Sequence, residues 1–183
     1  MAVLSYFYAD KAVTLFFAQY KDTLSYDLFR AVTRLGKAEY ALVPSGLFWL
    51  FFRKKYPDAA RVAAAVFIAS AAAGLFVDVI KYFAGRMRPV LFLSDGLYGF
   101  TFFKYKYEYV SFPSGHSADI FGAVTVLAKR YRKLCVPFYL LGVLVALSRI
   151  ATLHHYMSDV IVGSMCGYAI AVITYKKLVN GRK

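Results

Sequence analysis

Three separate stretches of this chain carry residue types that handle phosphate. In the first, Lys81 is followed by Arg88 and Pro89; in the second, Pro113, Ser114, Gly115 and His116 run together; in the third, Ser148 and Arg149 precede His155 and Asp159. A phosphoryl group in transfer needs charge neutralised on its non-bridging oxygens. Arginine offers a fork of donors matched to two of them, and lysine a point charge, which makes Lys81, Arg88 and Arg149 candidate phosphate ligands. Ser114 is a good helix N-cap and Gly115 permits a tight turn, so a helix starting here points free backbone N–H groups at an anion. His116, in that first turn, is placed to hand a proton to a leaving oxygen.

The third stretch supplies a nucleophile. His155 and Asp159 are four apart, so on one helix their side chains share a face. The carboxylate then accepts the imidazole N–H, fixes the tautomer and stabilises the charge that forms when the other nitrogen attacks phosphorus. His154 stands five from Asp159, a poorer pairing, and is read as a supporting or headgroup contact. Each motif also has a plainer reading: membrane-flanking anchors for Lys81, Arg86 and Arg88, an incidental histidine at a capped helix start, or a polar pair joining two spans.

The elements that must position these groups follow from composition. Of 183 residues 60% are hydrophobic and 19% aromatic, yet the net charge is +13. Soluble domains rarely combine these properties, and polytopic membrane proteins often do. The expected fold is all-α, an integral membrane helical bundle with about five transmembrane helices, at residues 40–52, 60–80, 116–127, 134–152 and 157–175. Gly163 with Gly167, and the Ala-rich run from Ala63 to Gly74, suit close helix packing. Asp78, one turn before Lys81, is expected to pair with it.

Basic residues orient the bundle. Arg53, Lys54, Lys55 and Arg61, then Lys129, Arg130, Arg132 and Lys133, then Lys176, Lys177, Arg182 and Lys183 hold twelve of the 23 basic residues. All three clusters fall on one side, which the positive-inside tendency makes cytoplasmic. Every candidate site residue then lies at the opposite end of its helix, facing outward. From Lys133 to Arg149 a helix rises roughly 24 Å, less than the roughly 30 Å hydrocarbon core. The site is thus expected slightly below the headgroup plane, a depth that suits a lipid phosphate entering sideways.

Residues 1–36 read as an interfacial amphipathic segment, with Asp10, Lys11 and Lys21 breaking an apolar face, and 37–183 as the transmembrane core. No cleavable signal is expected. Cys135 and Cys166 read as buried thiols. The ten acidic residues are scattered, without the paired carboxylates that hold magnesium or manganese, so no metal and no cofactor is expected. The loop 90–112 alternates aromatics with Lys104, Lys106 and Glu108, a period that permits a short ribbon. Single-stranded nucleic acid could use such interleaving, but outside a membrane the loop suits substrate admission, and no nucleic-acid partner is expected.

In this order and at these spacings, from Lys81 to Asp159, the motifs resemble the type 2 phosphatidic acid phosphatase superfamily. The resemblance implies a metal-independent lipid phosphate phosphatase of the bacterial cytoplasmic membrane, acting at the outer face. It implies His155 as nucleophile through a phosphohistidine, His116 as acid, Asp159 as its orienting carboxylate, and Lys81, Arg88, Ser114, Gly115 and Arg149 as phosphate ligands. Its implied partners are membrane lipids and a lipid phosphate substrate. Lipid A 1-phosphate and undecaprenyl pyrophosphate rank level, with phosphatidylglycerol phosphate next. Many members carry six spans, so this chain is expected to lack the first and to begin outside; if residues 3–20 cross, the N-terminus is cytoplasmic and the site is unmoved. The rival reading is a non-catalytic transporter or scaffold that uses the buried charges structurally. A vanadate haloperoxidase is disfavoured by the spans.

Overall fold

Alanine-rich and branched apolar runs leave no face for water, and the chain folds them into a helical bundle. The computed structural model describes residues 1–181; Arg182 and Lys183 of the tail cluster lie outside the described residues. The chain opens with α1 (Ala2–Leu4), a wider turn at Ser5–Ala9 and α2 (Asp10–Ala18), followed by α3 (Leu24–Arg34), α4 (Ala38–Phe52) and α5 (Pro57–Ala84). Next come the short α6 (Pro89–Asp95), then α7 (Gly115–Arg130), α8 (Cys135–Ala151) and α9 (Met157–Tyr175). Pro57 starts α5 where its missing N–H costs nothing. Gly85 ends it with φ +56°, in the left-handed conformation that favours glycine at a helix C-terminus.

Helix α7 is the bundle's axis. Its Ala118, Ala123 and Val126 join Ala65, Ala69, Ala73 and Val77 of α5 and Ala171 of α9 in the core, while Ile120 and Val124 meet Val145 of α8. Small residues let these backbones approach closely. A methyl at Gly163 of α9 would collide with the Ser114 carbonyl, and one at Gly167 with that of Ala118, the close approach expected from their spacing. Large apolar side chains such as Phe67, Leu75, Phe76, Leu140 and Met165 point outward, as in a bundle whose solvent is lipid.

Among the described residues three helical stretches are long and apolar enough to cross a membrane: Pro57–Ala84, Arg132–Ala151 and Met157–Asn180. Two of the five expected spans fall short of that length. Helix α4 has 15 residues and α7 has 16, because Lys37 and Arg53 bound one and the Ser114 cap and Arg130 the other.

The remaining differences concern the surface elements. The N-terminal segment packs Val13 and Phe17 on Ala146, Ile150 and Val160 of α8 and α9. Its Asp10, expected to interrupt an apolar face, is fully buried. Among the described residues the loop 90–112 forms no ribbon; one isolated antiparallel bridge joins Arg86 to Phe100. Backbone from this loop instead folds over the arginines, with Arg88 N–H donating to Glu108 O (2.8 Å) and Ser111 N–H to Arg86 O (3.0 Å). Cys135 and Cys166 are free and half-buried.

Candidate active site

Alternating chain direction brings four helix ends together. Helices α5 and α8 run toward this end and finish near Lys81 and Arg149; α7 and α9 start here, at Gly115 and Met157. Tyr175 O–H donates to Lys129 O (3.3 Å), which ties the far ends of α7 and α9 together at the basic clusters. The candidate site residues and the described basic clusters thus occupy opposite ends of the bundle.

The cations are held by carbonyls and few acids. Lys81 pairs with Asp78 at 2.8 Å, as expected from their spacing, and its Nζ lies 3.0 Å from where a side chain on Gly115 would begin. Gly115 therefore leaves room for the ammonium at the start of α7. Arg88 is buried, donating from Nε to Tyr107 O (2.7 Å), from Nη1 to His154 O (3.3 Å) and from Nη2 to Val110 O (3.4 Å). Burial pulls its pKa below the ordinary arginine value. Arg149 donates from Nη1 to Thr33 Oγ1 (2.8 Å), so α3 supplies part of the wall. Among the described residues Arg149 Nε has no hydrogen-bond partner.

Ser114 caps α7 as expected. Its Oγ accepts from Ser117 N–H (3.4 Å) and its own N–H donates to Asp159 O (3.0 Å), which fixes the α7 start against the α9 start. His116 follows in the first turn, and a side chain on Gly36 would begin 3.3 Å from its ring.

His155 sits in a turn before α9, not on it. Arg149 O accepts from both His154 N–H (3.1 Å) and His155 N–H (3.2 Å), and Leu153 adopts φ +59° to make the bend. The His155 Nδ1–H donates to Ser111 O at 2.7 Å. Asp159 Oδ2 is 3.7 Å from the same nitrogen, too far for a hydrogen bond. The direct His155–Asp159 hydrogen bond expected from a shared helical face is therefore replaced. Asp159 lies in the first turn of α9, where its Oδ2 accepts Tyr156 N–H (2.9 Å) and Ser111 O–H (2.6 Å). Ser111 thus links the two, its hydroxyl on the carboxylate and its carbonyl on the imidazole. Burial, then Arg149, Arg88 and Lys81, hold the His155 pKa well below the usual histidine value. Burial and the same two arginines bring His154 to about 4, so both rings stay neutral near pH 7.

Behind Asp159 lies a residue weighed in the sequence only as a membrane anchor. Arg86 is 1% exposed; its Nη1 pairs with Asp159 Oδ1 and its Nη2 with Asp10 Oδ2 at 2.7 Å. Rings of Tyr156 (4.6 Å), Tyr6 (5.0 Å) and Phe100 (5.3 Å) surround the guanidinium. Burial alone would lower its pKa, but Asp159 and Asp10 outweigh it and hold the group above its ordinary value.

A buried histidine ready as a base or nucleophile, a half-buried histidine at the start of α7 and three cations around them suit transfer of a phosphoryl group. A family model for the PAP2 superfamily matches residues 62–183. The chain belongs to that superfamily. The matched PAP2 region contains every candidate site residue from Lys81 to Asp159 and stops short of Asp10. Among PAP2 relatives, the lipid A 1-phosphatase of Rhizobium etli is 34% identical over 116 residues, covering 62% of this chain and 49% of that protein. The lipid A 1-phosphatase of Rhizobium johnstonii is 33% identical over 116 residues, 62% of this chain and 46% of its own length. The chain spans about half the length of these curated relatives. Two solved structures share the fold at 23% identity. One is LpxE from Aquifex aeolicus (TM-score 0.65, 91% of this chain and 94% of that one). The other is a transmembrane PAP2 type phosphatidylglycerolphosphate phosphatase from Bacillus subtilis (TM-score 0.70, 100% and 88%).

Proposed function

We propose that this chain is a membrane lipid phosphatase that hydrolyses a phosphate monoester or pyrophosphate through a phosphohistidine on His155. The observation that carries it is the convergence of Lys81, Arg88 and Arg149 with neutral His155 and with His116 at one bundle end. His155 Nε2 gives its lone pair to phosphorus while the bond to the lipid oxygen breaks. That oxygen takes a proton from His116, whose charged form the bound phosphate dianion favours by offsetting the surrounding cations. The Ser111 carbonyl holds Nδ1–H, so Nε2 is the nitrogen with a free lone pair. Water, deprotonated by His116, then attacks phosphorus; the N–P bond breaks and inorganic phosphate leaves. Ser114 and Gly115 give the start of α7 its shape, and Asp159 steadies the nucleophile through Ser111.

A lipid rather than a soluble ester is favoured by a groove on the bundle's side. A cavity of about 500 Å³ between α4, α5, α7 and α8 is lined by Leu35, Tyr40, Ile120, Ala123 and Leu127. Ile120, Ala123 and Leu127 follow His116 on one face of α7, and Gly36, next to Leu35, lies against the His116 ring. A hydrocarbon chain in this groove has its polar end at His116. The described basic clusters at the far end support a site on the outer face of a bacterial cytoplasmic membrane. The names of the Rhizobium relatives put lipid A 1-phosphate first among substrates, ahead of undecaprenyl pyrophosphate and phosphatidylglycerol phosphate. The test is phosphate release by purified protein in detergent from each of these three lipids, with and without chelator. Release from at least one, unchanged by chelator, is expected. No release from any of them defeats the phosphatase reading in favour of a transporter or scaffold, and loss with chelator restored by magnesium defeats metal independence.

A further inference from the structure

We infer that Asp10, on the N-terminal helix, is a positioning residue for phosphoryl transfer, because it restores to Asp159 the negative charge that Arg86 would otherwise cancel. This rests on His155 being the nucleophile.

Asp10 and Asp159 both act only as acceptors. Asp10 Oδ1 takes Ser158 N–H (2.9 Å) and Ser5 O–H (3.0 Å), and Oδ2 takes Arg86 Nη2–H (2.7 Å) and Ser158 O–H (2.5 Å). Asp159 takes Arg86, Ser111 O–H and Tyr156 N–H. Donors converging on every oxygen mark both groups as carboxylates. Both are fully buried, and Arg86 is 1% exposed, so no solvent screens the three charges. With Asp159 alone, Arg86 forms a neutral pair that exerts little field on its surroundings. One guanidinium with two carboxylates carries a net charge of −1.

That charge lies on the Nδ1 side of His155, joined to it by Ser111. Attack by Nε2 forms the N–P bond and leaves positive charge on the imidazole, which a buried anion stabilises. The other charged or titratable groups around the ring are Lys81 from α5, Arg88 from the following loop, His116 from α7, and Arg149 and His154 from α8 and its turn. Apart from the solvent-exposed Asp78 that pairs with Lys81, every permanent charge in that set among the described residues is positive and opposes the developing charge. The compensating anion comes from the helix that the PAP2 family match leaves out, since that match begins at Val62.

The experiment measures phosphohistidine formation in single turnover, steady-state KM and the acid limb of the pH profile, in detergent, with the full chain. Asp10→Asn keeps size and the hydrogen bonds of one oxygen but removes the charge. It is expected to slow phosphoenzyme formation about ten- to a hundredfold, to leave KM within about twofold, and to move the acid limb to lower pH, since charged His155 is then disfavoured. Asp10→Glu retains more of the rate than Asp10→Asn. The double variant Asp10→Asn with Arg86→Gln returns the cluster to −1 and is faster than Asp10→Asn alone. A purely structural ion pair predicts the reverse, a double variant no better than the single one, with a lower melting temperature and an unmoved limb; that pattern overturns the inference. A wild-type rate in Asp10→Asn overturns it as well. Should Asp10→Asn not fold, Asp10→Glu and the double variant decide, and a folded double variant without phosphoenzyme counts against it. His155→Ala is run in parallel: activity surviving there removes the nucleophile reading itself, whereas a dead His155→Ala with an unaffected Asp10→Asn removes only the role of Asp10.

Discussion

On one side of His155, Asp10 and Asp159 close on Arg86 inside a cage of aromatic rings; around the rest of it, Lys81, Arg88 and Arg149 are steadied by carbonyls, a threonine and one half-exposed aspartate. Arg86 and Arg88 stand two residues apart, are both buried and yet face opposite chemistries. Arg86 has its charge satisfied by carboxylates and is closed to ligand. Among the described residues Arg88 has neutral partners, three carbonyls and the Tyr107 ring, so its charge remains available to an anion. Burial of an arginine therefore says little about its task; the charge of its partners says more.

Breaking the boundary between these regions has the largest effect. His155→Ala is expected to lose turnover to background, and an acid-labile phosphoryl label found on wild type should be absent from the variant; His154→Ala should keep most activity, because its ring bonds Thr152 (3.0 Å) rather than the Asp159 network. If His154→Ala were the dead variant, the assignment would move to that ring. On the cationic side, His116→Ala is expected to lose about two to four orders of magnitude on a lipid monoester. The loss should be far smaller on an activated aryl phosphate, whose leaving oxygen needs no proton; equal losses on both substrates leave His116 as a phosphate ligand only. Arg149→Lys keeps the charge but not the fork and gives up the bond to Thr33. A drop in kcat of about a hundredfold, the usual worth of one donor in such a site, is expected; wild-type kinetics would show that the fork contacts no transferred oxygen.

The smallest effect concerns pH. Folded His155 stays neutral below the ordinary histidine range, while the unfolded chain takes up a proton near pH 6.5. As pH falls the unfolded state binds more protons, so the stability associated with this ring is present above about pH 6.5 and lost below it, toward the depressed folded value. The melting temperature in detergent should decline through that window, less steeply in His155→Gln. The acid limb of kcat/KM should also lie below about 6.5; a limb above that value contradicts a neutral nucleophile held among cations.

Much of the cationic side was legible in the sequence because its parts lie within short motifs whose local structure is strongly dictated. Pro89 bars a helix from continuing into Arg88, Ser114 caps α7, and apolar runs set the helices that bring Lys81, His116 and Arg149 to one end. The anionic side was not legible for two physical reasons. Asp10 and Arg86 are 76 residues apart, and an aspartate in an apolar helical pattern reads as a break in that pattern until a partner is known. The four-residue spacing of His155 and Asp159 assumed one continuous helix, whereas the bend at Leu153 and the bond from Tyr156 N–H to Asp159 start α9 after the histidine. Glycine spacing, by contrast, read correctly, since a missing side chain has the same meaning wherever the helix begins.

The unequal lengths of α5 and α4 bear on the membrane itself. Helix α5 has 28 residues and α4 has 15, about 42 Å and 22 Å at 1.5 Å per residue, beside a hydrocarbon core of roughly 30 Å. One helix exceeds the bilayer and the other, whose Val43, Leu47, Phe51 and Phe52 face outward, falls short, so hydrophobic mismatch of both signs acts on adjacent helices. Tilting absorbs the excess of α5; the shortfall of α4 draws the surrounding leaflet inward. Headgroups beside the start of α4 then sit lower than in the bulk membrane, close to Gly36 and the His116 ring. Catalysis should accordingly respond to the acyl-chain length of inert host lipids, fastest in thin bilayers and slower as the bilayer thickens, with headgroup and substrate held constant.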